Sequence, residues 1–475
     1  MTRSPDSKTN ERPVLLWFRR DLRLADQTAV AAAAETGAPV IPVFILDETC
    51  DGGARPIGGA SRWWLHHSLE SLGQSLQRSG SRLILHRGNA AEIILALARE
   101  TGAQAIHTGF MPDPGERHAD KAVADGLKDQ DCRLCRHRTT LLHDPHKVQT
   151  QAGKPFGVFT PFARAFDAQV HVPPPQGAPQ RLAAGPKLPS DKLTDWELLP
   201  RIPWDQGIAR AWTPGEAGAA NRLARFVKDS VADYGSERDH PDHQGTSRLS
   251  PHLHWGEVSP WQVWQAVGEA QGGAGGHAGV AAFRRELIWR EFAAHLLWHH
   301  PEVVDRPLRP EFAEFPWRQD DAAEAAWQRG QTGIPMVDAG MRELWVTGWM
   351  HNRARMIVAS FLLKHLLIPW KTGESWFWDT LVDADLANNT VSWQWVAGSG
   401  ADAAPFFRIF NPVLQGRKFD PDGDYVRHWV PELKALPDVH IHAPWEAPEP
   451  VLMAAGVTLG GNYPQPILDL AAGRA

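Results

Sequence analysis

Short apolar runs alternate with helical stretches over the first 140 residues. Such alternation is typical of a parallel sheet that helices cover on both faces. We therefore predict an α/β N-terminal domain with a doubly wound parallel sheet at residues 13–140. The predicted strands are 14–18, 39–46, 82–88 and 105–109, and the predicted helices include 61–79 and 90–101.

The pattern changes after about residue 215, where strand signals disappear and long helical patterns such as 281–300 and 337–349 take over. We predict a large all-α C-terminal domain at residues 216–475. Between the two halves, residues 171–190 are rich in Pro and Gly, so this stretch should run extended over the surface. We predict an interdomain linker at 141–215 and a disordered tail at 1–12.

Composition narrows the class of protein. Lys and Arg number 49 against 55 Asp and Glu, so the net charge of −6 excludes a generally basic surface but allows a local basic groove. The cysteines, Cys50, Cys132 and Cys135, are too few for a disulfide framework. The N-terminus lacks an apolar core, and the apolar stretch 356–370 is too short and polar to span a bilayer. We expect a monomeric cytoplasmic protein with no membrane partner.

Tryptophan is the unusual residue: the chain has 22 Trp but only 3 Tyr, and 16 of the Trp lie from Trp255 onward. A buried Trp needs both close packing and a partner for its N–H group. The helical half is therefore expected to have an aromatic interior.

Two polar motifs stand out in that half. TSRLSP at 246–251 suits either a Thr or Ser helix cap or a phosphate at a helix N-terminus. DADLANNT at 383–390, which precedes SWQWVAG, suits either a capped helix start or a polar cofactor. A metal site is the third alternative for Asp383 and Asp385, but their spacing matches no familiar ligand set, and we predict no metal site.

Two helical motifs complete the set. In GWMHNRARM, 348–356, Asn352 and Met356 share one helical face, while Arg353 could reach phosphates or lie on an ordinary surface helix. In ELIWREF, 286–292, Glu286, Trp289 and Arg290 share a face. That face could stack a nucleic-acid base or contact another helix.

These motifs occur in one known order. With WFRRDLRLAD at 17–26 and RIFNP at 408–412, the chain resembles the DNA photolyase/cryptochrome family, and within it the bacterial photolyases of cyclobutane pyrimidine dimers. The resemblance extends from residue 14 to about 468. It implies an α/β antenna domain and a helical catalytic domain that binds FAD.

The resemblance also implies particular roles on the cofactor side. The FAD phosphates are held by one group of residues, the ribose and ring side by two aspartates, and the ring nitrogen N5 is faced by an asparagine. These positions are Tyr234, Thr246, Ser247, Arg248, Leu249 and Ser250 for the phosphates, Asp383 and Asp385 for the ribose and ring, and Asn389 for N5.

On the DNA side, the resemblance implies a dimer that is flipped out of the duplex. The dimer then receives an electron from photoexcited reduced FAD, in a light-dependent carbon–carbon lyase reaction. The dimer is expected to contact Glu286, Trp289, Asn352, Met356 and Trp395. The DNA-binding residues are expected to be Arg238, Glu286, Trp289, Arg290, Asn352 and Arg353.

Two further roles follow from the resemblance. Trp393, Trp370 and Trp317 are expected to carry electrons from the surface to oxidised flavin. Folate-binding members carry Asn-Glu in the loop after the fourth strand, whereas this chain has Gly115 and Glu116. Glu116 is thus the candidate antenna residue, and the site could hold 5,10-methenyltetrahydrofolate, hold another group or be empty.

Two activities of the family remain to be distinguished. Cryptochrome photoreceptors commonly carry a long C-terminal tail, while this chain ends soon after NYPQPI at 462–467. In (6-4) photolyases the positions of Asn352 and Met356 are usually both His. We therefore predict dimer repair, with blue-light photoreception as the alternative.

Overall fold

The protein was analysed as a computed structural model that describes residues 12–270, 274–402 and 409–470. The predicted disordered tail, apart from Arg12, and Arg408 of the RIFNP motif lie outside these residues. Cys50, Cys132 and Cys135 are free thiols.

The N-terminal half contains one five-stranded parallel sheet with the strand order β3-β2-β1-β4-β5. Alternate residues of the first strand point to opposite faces: Val14, Leu16 and Phe18 enter one core and Leu15 and Trp17 the other. The predicted doubly wound α/β fold is confirmed. The strands are β1 (Val14–Phe18), β2 (Val40–Leu46), β3 (Ile84–Arg87), β4 (Ala105–Gly109) and β5 (Arg133–His137).

Helices surround this sheet and form the rest of the chain. Those up to residue 211 are α1 (Thr28–Glu35), α2 (Gly59–Arg78), α3 (Ala90–Thr101), α4 (Pro114–Gly126), α5 (Phe159–Gln169) and α6 (Gln206–Ala211). The central ones are α7 (Glu216–Asp229), α8 (Tyr234–Glu237), α9 (Ser250–His254), α10 (Pro260–Glu269), α11 (Ala274–His299), α12 (Asp321–Arg329) and α13 (Pro335–Thr347). The last are α14 (Asn352–Ser360), which continues into a π-helix (Phe361–His365), α15 (Trp370–Thr380), α16 (Leu386–Ala397), α17 (Pro412–Phe419), α18 (Asp424–Trp429), α19 (Asp438–Ile441) and α20 (Glu449–Ala454).

The segment predicted as a linker is partly structured. Phe159, Phe162 and Phe166 of α5 are buried in the core of the helical half, where they form one apolar face of the helix. Residues 171–190 contain no helix or named strand, but Leu182 is buried and Ala184 bridges Val40 at the sheet edge.

The two halves are joined by buried polar contacts. The guanidinium of Arg23 is buried and donates to the carbonyl oxygens of Asp26, Thr139 and Gly256. Gly58 packs so closely on α15 that a Cβ there would lie 2.3 Å from the Trp378 carbonyl oxygen. These contacts fix the loop after β1 and the start of α2 against the helical half.

No described helix has the length and apolar character needed to cross a membrane.

Candidate active site

One large cavity opens in the helical half, with about 2100 Å³ of space including its mouth. Its walls come from α8, the 246–250 loop, α11, α14 and α16. Every predicted cofactor residue lines it: Tyr234, Thr246, Ser247, Arg248, Leu249, Ser250, Asp383, Asp385 and Asn389. All five predicted lesion-contacting residues line it as well: Glu286, Trp289, Asn352, Met356 and Trp395.

The 246–250 loop presents hydroxyl groups to this cavity. Helix α9 begins at Ser250 after Leu249, and no side chain caps its N-terminus, so the predicted Thr or Ser cap is wrong. Arg248 adopts a left-handed backbone conformation, with φ 50°, which costs energy for a residue with a Cβ. Trp349 Nε1 donates to Ser250 Oγ at 3.1 Å, which leaves the Ser250 O–H available as a donor.

The 383–390 segment contains a capped helix start and also lines the cavity. Asp385 caps α16 by accepting from the Asn388 backbone N–H at 2.8 Å, so the predicted capped helix start is confirmed. Asp383 is held by Arg355, whose Nη2 lies 2.8 Å from Oδ2. Both carboxylates still reach the cavity wall.

Asp385 lies beside one histidine and two arginines. His254 Nδ1 is 3.6 Å from Asp385 Oδ2, and Arg20 and Arg290 line the same recess between the two halves. Burial raises the pKa of Asp385, but His254, Arg20 and Arg290 outweigh burial and hold it well below its ordinary value. Asp385 is therefore a charged acceptor in the cavity wall.

Asn389 has a fixed amide orientation. Its Nδ2 donates to Glu374 Oε1 at 2.9 Å and to the Glu374 carbonyl oxygen at 3.0 Å. Glu374 is fully buried in α15, and its Oε1 also accepts from Arg55 of the N-terminal half at 2.6 Å. A chain of contacts thus joins the N-terminal half to the residue predicted to face flavin N5.

Trp289 and Trp395 line the cavity. Trp289 stacks on Phe159 with ring centroids 3.5 Å apart and an interplanar angle of 4°. Phe159 is buried and therefore supports the Trp289 ring from behind. Trp395, on α16, is half-buried and lines the same cavity.

Helix α14 carries the predicted polar and apolar lesion contacts. His351 caps it, accepting from the Arg353 N–H at 3.1 Å, and burial followed by the charge of Arg248 lowers the pKa of His351 to about 3. Asn352 Nδ2 and Met356 Sδ are 4.0 Å apart on one face, as their spacing predicts. Neither Asn352 nor Met356 can act as a general acid.

The predicted DNA-binding arginines occupy three different environments. Arg238 pairs with Glu286 at the cavity wall, whereas Arg353 lies outside the wall, 2.7 Å from Asp239 Oδ1 and over the Phe419 ring. Arg290 donates to the Thr140 carbonyl oxygen at 2.6 Å and lines the recess beside Asp385. Arg290 also lines the main cavity, and its role in DNA binding stays a prediction.

The predicted electron relay follows a gradient of burial. Trp393 lines the cavity and is buried, Trp370 is buried in the same apolar cluster, and Trp317 is partly exposed at its edge. Trp393 packs edge-on against Phe377, at 5.0 Å between centroids, and against Trp327. The relay itself stays a prediction.

A second cavity of about 1510 Å³ lies between the halves and includes Glu116, the predicted antenna residue. Arg19 Nη1 donates to Glu116 Oε2 at 2.9 Å. A Cβ on Gly115 would lie 2.5 Å from the Ala54 Cα, so the Asn of folate-binding members does not fit there without a backbone shift. Asn89 lines the same cavity and supplies an amide from α3's N-cap, where its Nδ2 donates to Asp51 at 2.9 Å.

Sequence reasoning missed several residues that shape these sites. Glu374, Phe159 and His254 are not among the predicted site residues, although His254 lies 3.6 Å from Asp385. The apolar spacing of α5 could have identified Phe159 as a core residue. A lone buried glutamate such as Glu374 has no comparable signal in a single sequence.

Comparisons with known proteins agree with this geometry. Residues 14–180 match the DNA photolyase family, and residues 283–475 match the FAD binding domain of DNA photolyase. A deoxyribodipyrimidine photo-lyase from Agrobacterium fabrum is 50% identical over 96% of this chain and 95% of its own length. This chain belongs to the DNA photolyase family.

Other members of the family show both of its branches. The crystal structure of a bacterial class III photolyase from Agrobacterium tumefaciens superposes with a TM-score of 0.93 and 48% identity, over 99% of this chain and 97% of that chain. Cryptochrome-1 of Arabidopsis thaliana is 40% identical over 96% of this chain and 68% of its own length. The predicted family and fold are confirmed, and residues 283–475 of the helical half match a photolyase FAD-binding domain.

Proposed function

We propose that this photolyase-family protein repairs cyclobutane pyrimidine dimers in DNA under blue light, with FAD as its cofactor. The observation that carries the proposal is the single cavity that unites all the predicted cofactor residues with all the predicted lesion contacts. When bound and reduced, FAD would supply the photoexcited electron.

The residues present fit that cofactor. Hydroxyls of the 246–250 loop and the positive charge of Arg248 suit a diphosphate, and the charged Asp385 suits ribose hydroxyls. The Asn389 amide is locked by Glu374, which suits hydrogen bonding to a ring edge. The same cavity extends from the predicted cofactor residues to Trp289 and Trp395, where a flipped-out pyrimidine dimer would lie.

The lesion side favours dimers over (6-4) photoproducts. Trp289, supported by Phe159, offers a flat apolar face for a dimer that has left the stack. Asn352 provides a hydrogen-bonding amide and Met356 a polarisable contact. Neither side chain can act as a general acid, unlike the His residues usual at these positions in (6-4) photolyases. His351 stays neutral and caps its helix, so it does not supply that acid either.

We propose no identity for the antenna chromophore. Folate remains a candidate for the second cavity because Arg19, Glu116 and Asn89 supply polar groups there. The 51–54 loop packs on Gly115 and leaves no space for an Asn side chain there. A folate in this cavity would therefore bind without the Asn contact of other folate-binding members.

The test is repair of defined lesions by purified protein. We expect flavin absorption in the protein as isolated and, after chemical reduction, blue-light repair of an oligonucleotide with one cyclobutane dimer. A matched oligonucleotide with one (6-4) photoproduct should remain unrepaired, and dark samples provide the control. Bound, reducible flavin without repair of either lesion would contradict the proposal and favour a photoreceptor.

A further inference from the structure

A cluster of metal-binding side chains lies outside both cavities, in the loop between α8 and the 246–250 loop. His240, Asp242 and His243 each offer one ligand atom, and these three atoms lie within 4.8 Å of one another. Two imidazoles and one carboxylate form a donor set that suits zinc-class divalent ions. The family motifs in the sequence analysis do not include these residues.

The His243 ring is oriented as a metal ligand would be. Its Nε2 is 3.1 Å from Asp242 Oδ2, so both atoms face one point, while its Nδ1 is 2.5 Å from Glu237 Oε2. A carboxylate on the far ring nitrogen fixes the tautomer and raises the basicity of the nitrogen that binds the metal. Glu237 therefore holds the His243 ring with Nε2 facing Asp242 Oδ2, and a bound metal would replace the proton between these two atoms.

Asp242 also has an unsatisfied oxygen atom. Asp242 Oδ1 is buried and has no hydrogen-bond partner among the described residues. Burial, and then the charges of Asp242 and Asp424, raise the pKa of Asp420 to about 7. A cation bound to Asp242 would satisfy the buried oxygen and reduce this repulsion between carboxylates.

Another His-containing group on α2 is less suitable. His66, His67 and Glu70 also come within ligand distance of one another, but Glu70 is half-exposed and divides its two oxygens between the two rings, at 3.7 and 3.2 Å. Nothing in the described contacts plays the part of Glu237 there: His66 Nδ1 is buried without a partner. This group serves as an internal control.

We propose that His240, Asp242 and His243 bind one zinc-class divalent cation, with Glu237 holding the His243 ring and water completing the four ligands. Ligand atoms around tetrahedral zinc lie roughly 3.5 Å apart, as bonds of about 2.1 Å require. The side chains must therefore close in by about an ångström, which partly exposed His240 and His243 can do by rotation. The ion would stiffen the loop that leads into the 246–250 segment.

Zinc binding to the intact, tag-free protein tests the proposal. Equilibrium dialysis against ZnCl₂ should give one tight site per chain, and Asp242→Asn should remove it. Glu237→Gln should keep the site but weaken it about 10- to 100-fold, as loss of a carboxylate behind a ligating histidine does. His67→Ala should bind zinc like the wild type.

A second measurement separates binding from misfolding. Zinc should raise the melting temperature of the wild type and of His67→Ala, but not that of Asp242→Asn or His240→Ala. The far-ultraviolet circular dichroism of all variants in chelator should match. Unchanged zinc affinity in correctly folded Asp242→Asn, or loss of the tight site only in His67→Ala, would overturn the proposal.

Discussion

The Asn389 amide nitrogen donates to Glu374 Oε1 at 2.9 Å, across 15 residues of sequence. Its second bond runs to the Glu374 carbonyl oxygen at 3.0 Å. Because both partners are acceptors, the nitrogen must face Glu374, and the Asn389 carbonyl oxygen is left for the cavity. Glu374 thereby determines that Asn389 presents a hydrogen-bond acceptor, and not a donor, to the proposed flavin.

Replacing Glu374 with Gln should allow both orientations of the Asn389 amide, because the Gln side chain can donate as well as accept a hydrogen bond. We expect Glu374→Gln to bind FAD but to shift its two-electron midpoint potential by on the order of 10–30 mV, the equivalent of one net hydrogen bond. Spectroelectrochemistry measures the shift. Glu324→Gln, on α12 outside both cavities, is the control; equal potentials in all three proteins would show that Asn389 orientation is irrelevant.

Trp393→Phe tests the proposed electron relay. Phe preserves the packing against Phe377 but is far harder to oxidise, so light-dependent reduction of oxidised flavin should be lost. Repair should persist once the flavin is reduced chemically, since the relay does not touch the lesion. Flavin absorbance under blue light with external reductant follows the reaction, and Trp264→Phe on α10 is the control. Normal photoreduction in Trp393→Phe would exclude this route.

Trp289→Ala tests the lesion platform. We expect binding of dimer-containing DNA to weaken by ~1–3 kcal/mol, the usual value of one base–aromatic stack. Undamaged DNA should bind almost as before at the same salt concentration, because that affinity depends on phosphate contacts. Trp345→Ala, an exposed ring on α13, should change neither affinity. Equal losses for both DNAs would assign Trp289 to packing with Phe159 alone.

Gly115→Asn tests the shape of the second cavity. The new side chain would meet the backbone of Ala54, and we expect the free energy of unfolding to fall by about 1–3 kcal/mol, as in other overpacked sites. Denaturant unfolding measures the change. Gly73→Asn is the matched control, because a Cβ at Gly73 meets nothing within 4 Å. A Gly115→Asn protein that is as stable as the wild type and gains folate binding would contradict this prediction. It would show that the 51–54 loop moves aside at little cost in free energy.

Asp420 should make stability depend on pH. Burial raises its pKa to about 7, above its value of about 4 in the unfolded chain, so the folded protein binds the extra proton between these values. The free energy of unfolding should fall as pH rises from 5 to 7, with this residue contributing about 1 kcal/mol per pH unit. Unfolding in chelator-containing buffers measures the slope of the free energy of unfolding against pH. This slope should be smaller in Asp420→Asn. Identical slopes would contradict the raised pKa.

Local patterns of apolar residues in the sequence determined most of the strands of the N-terminal sheet. Buried apolar runs specified β1 to β4, because a strand covered on both faces needs a continuous apolar sequence. Strand β5 and helix α4 escaped prediction. The edge strand, RLCRH, is partly exposed, and α4 has few apolar residues, so neither carries that signal.

The contiguous motifs also determined which residues line the main cavity, because spacing on one helix fixes which side chains share a face. Only the tertiary structure decided their partners. Phe159 supports Trp289 from a segment predicted as linker, Arg355 holds Asp383 from another helix, and Arg55 reaches Glu374 across 319 residues. Such contacts depend on how distant elements pack, and a single sequence records the residues but not the distances between them.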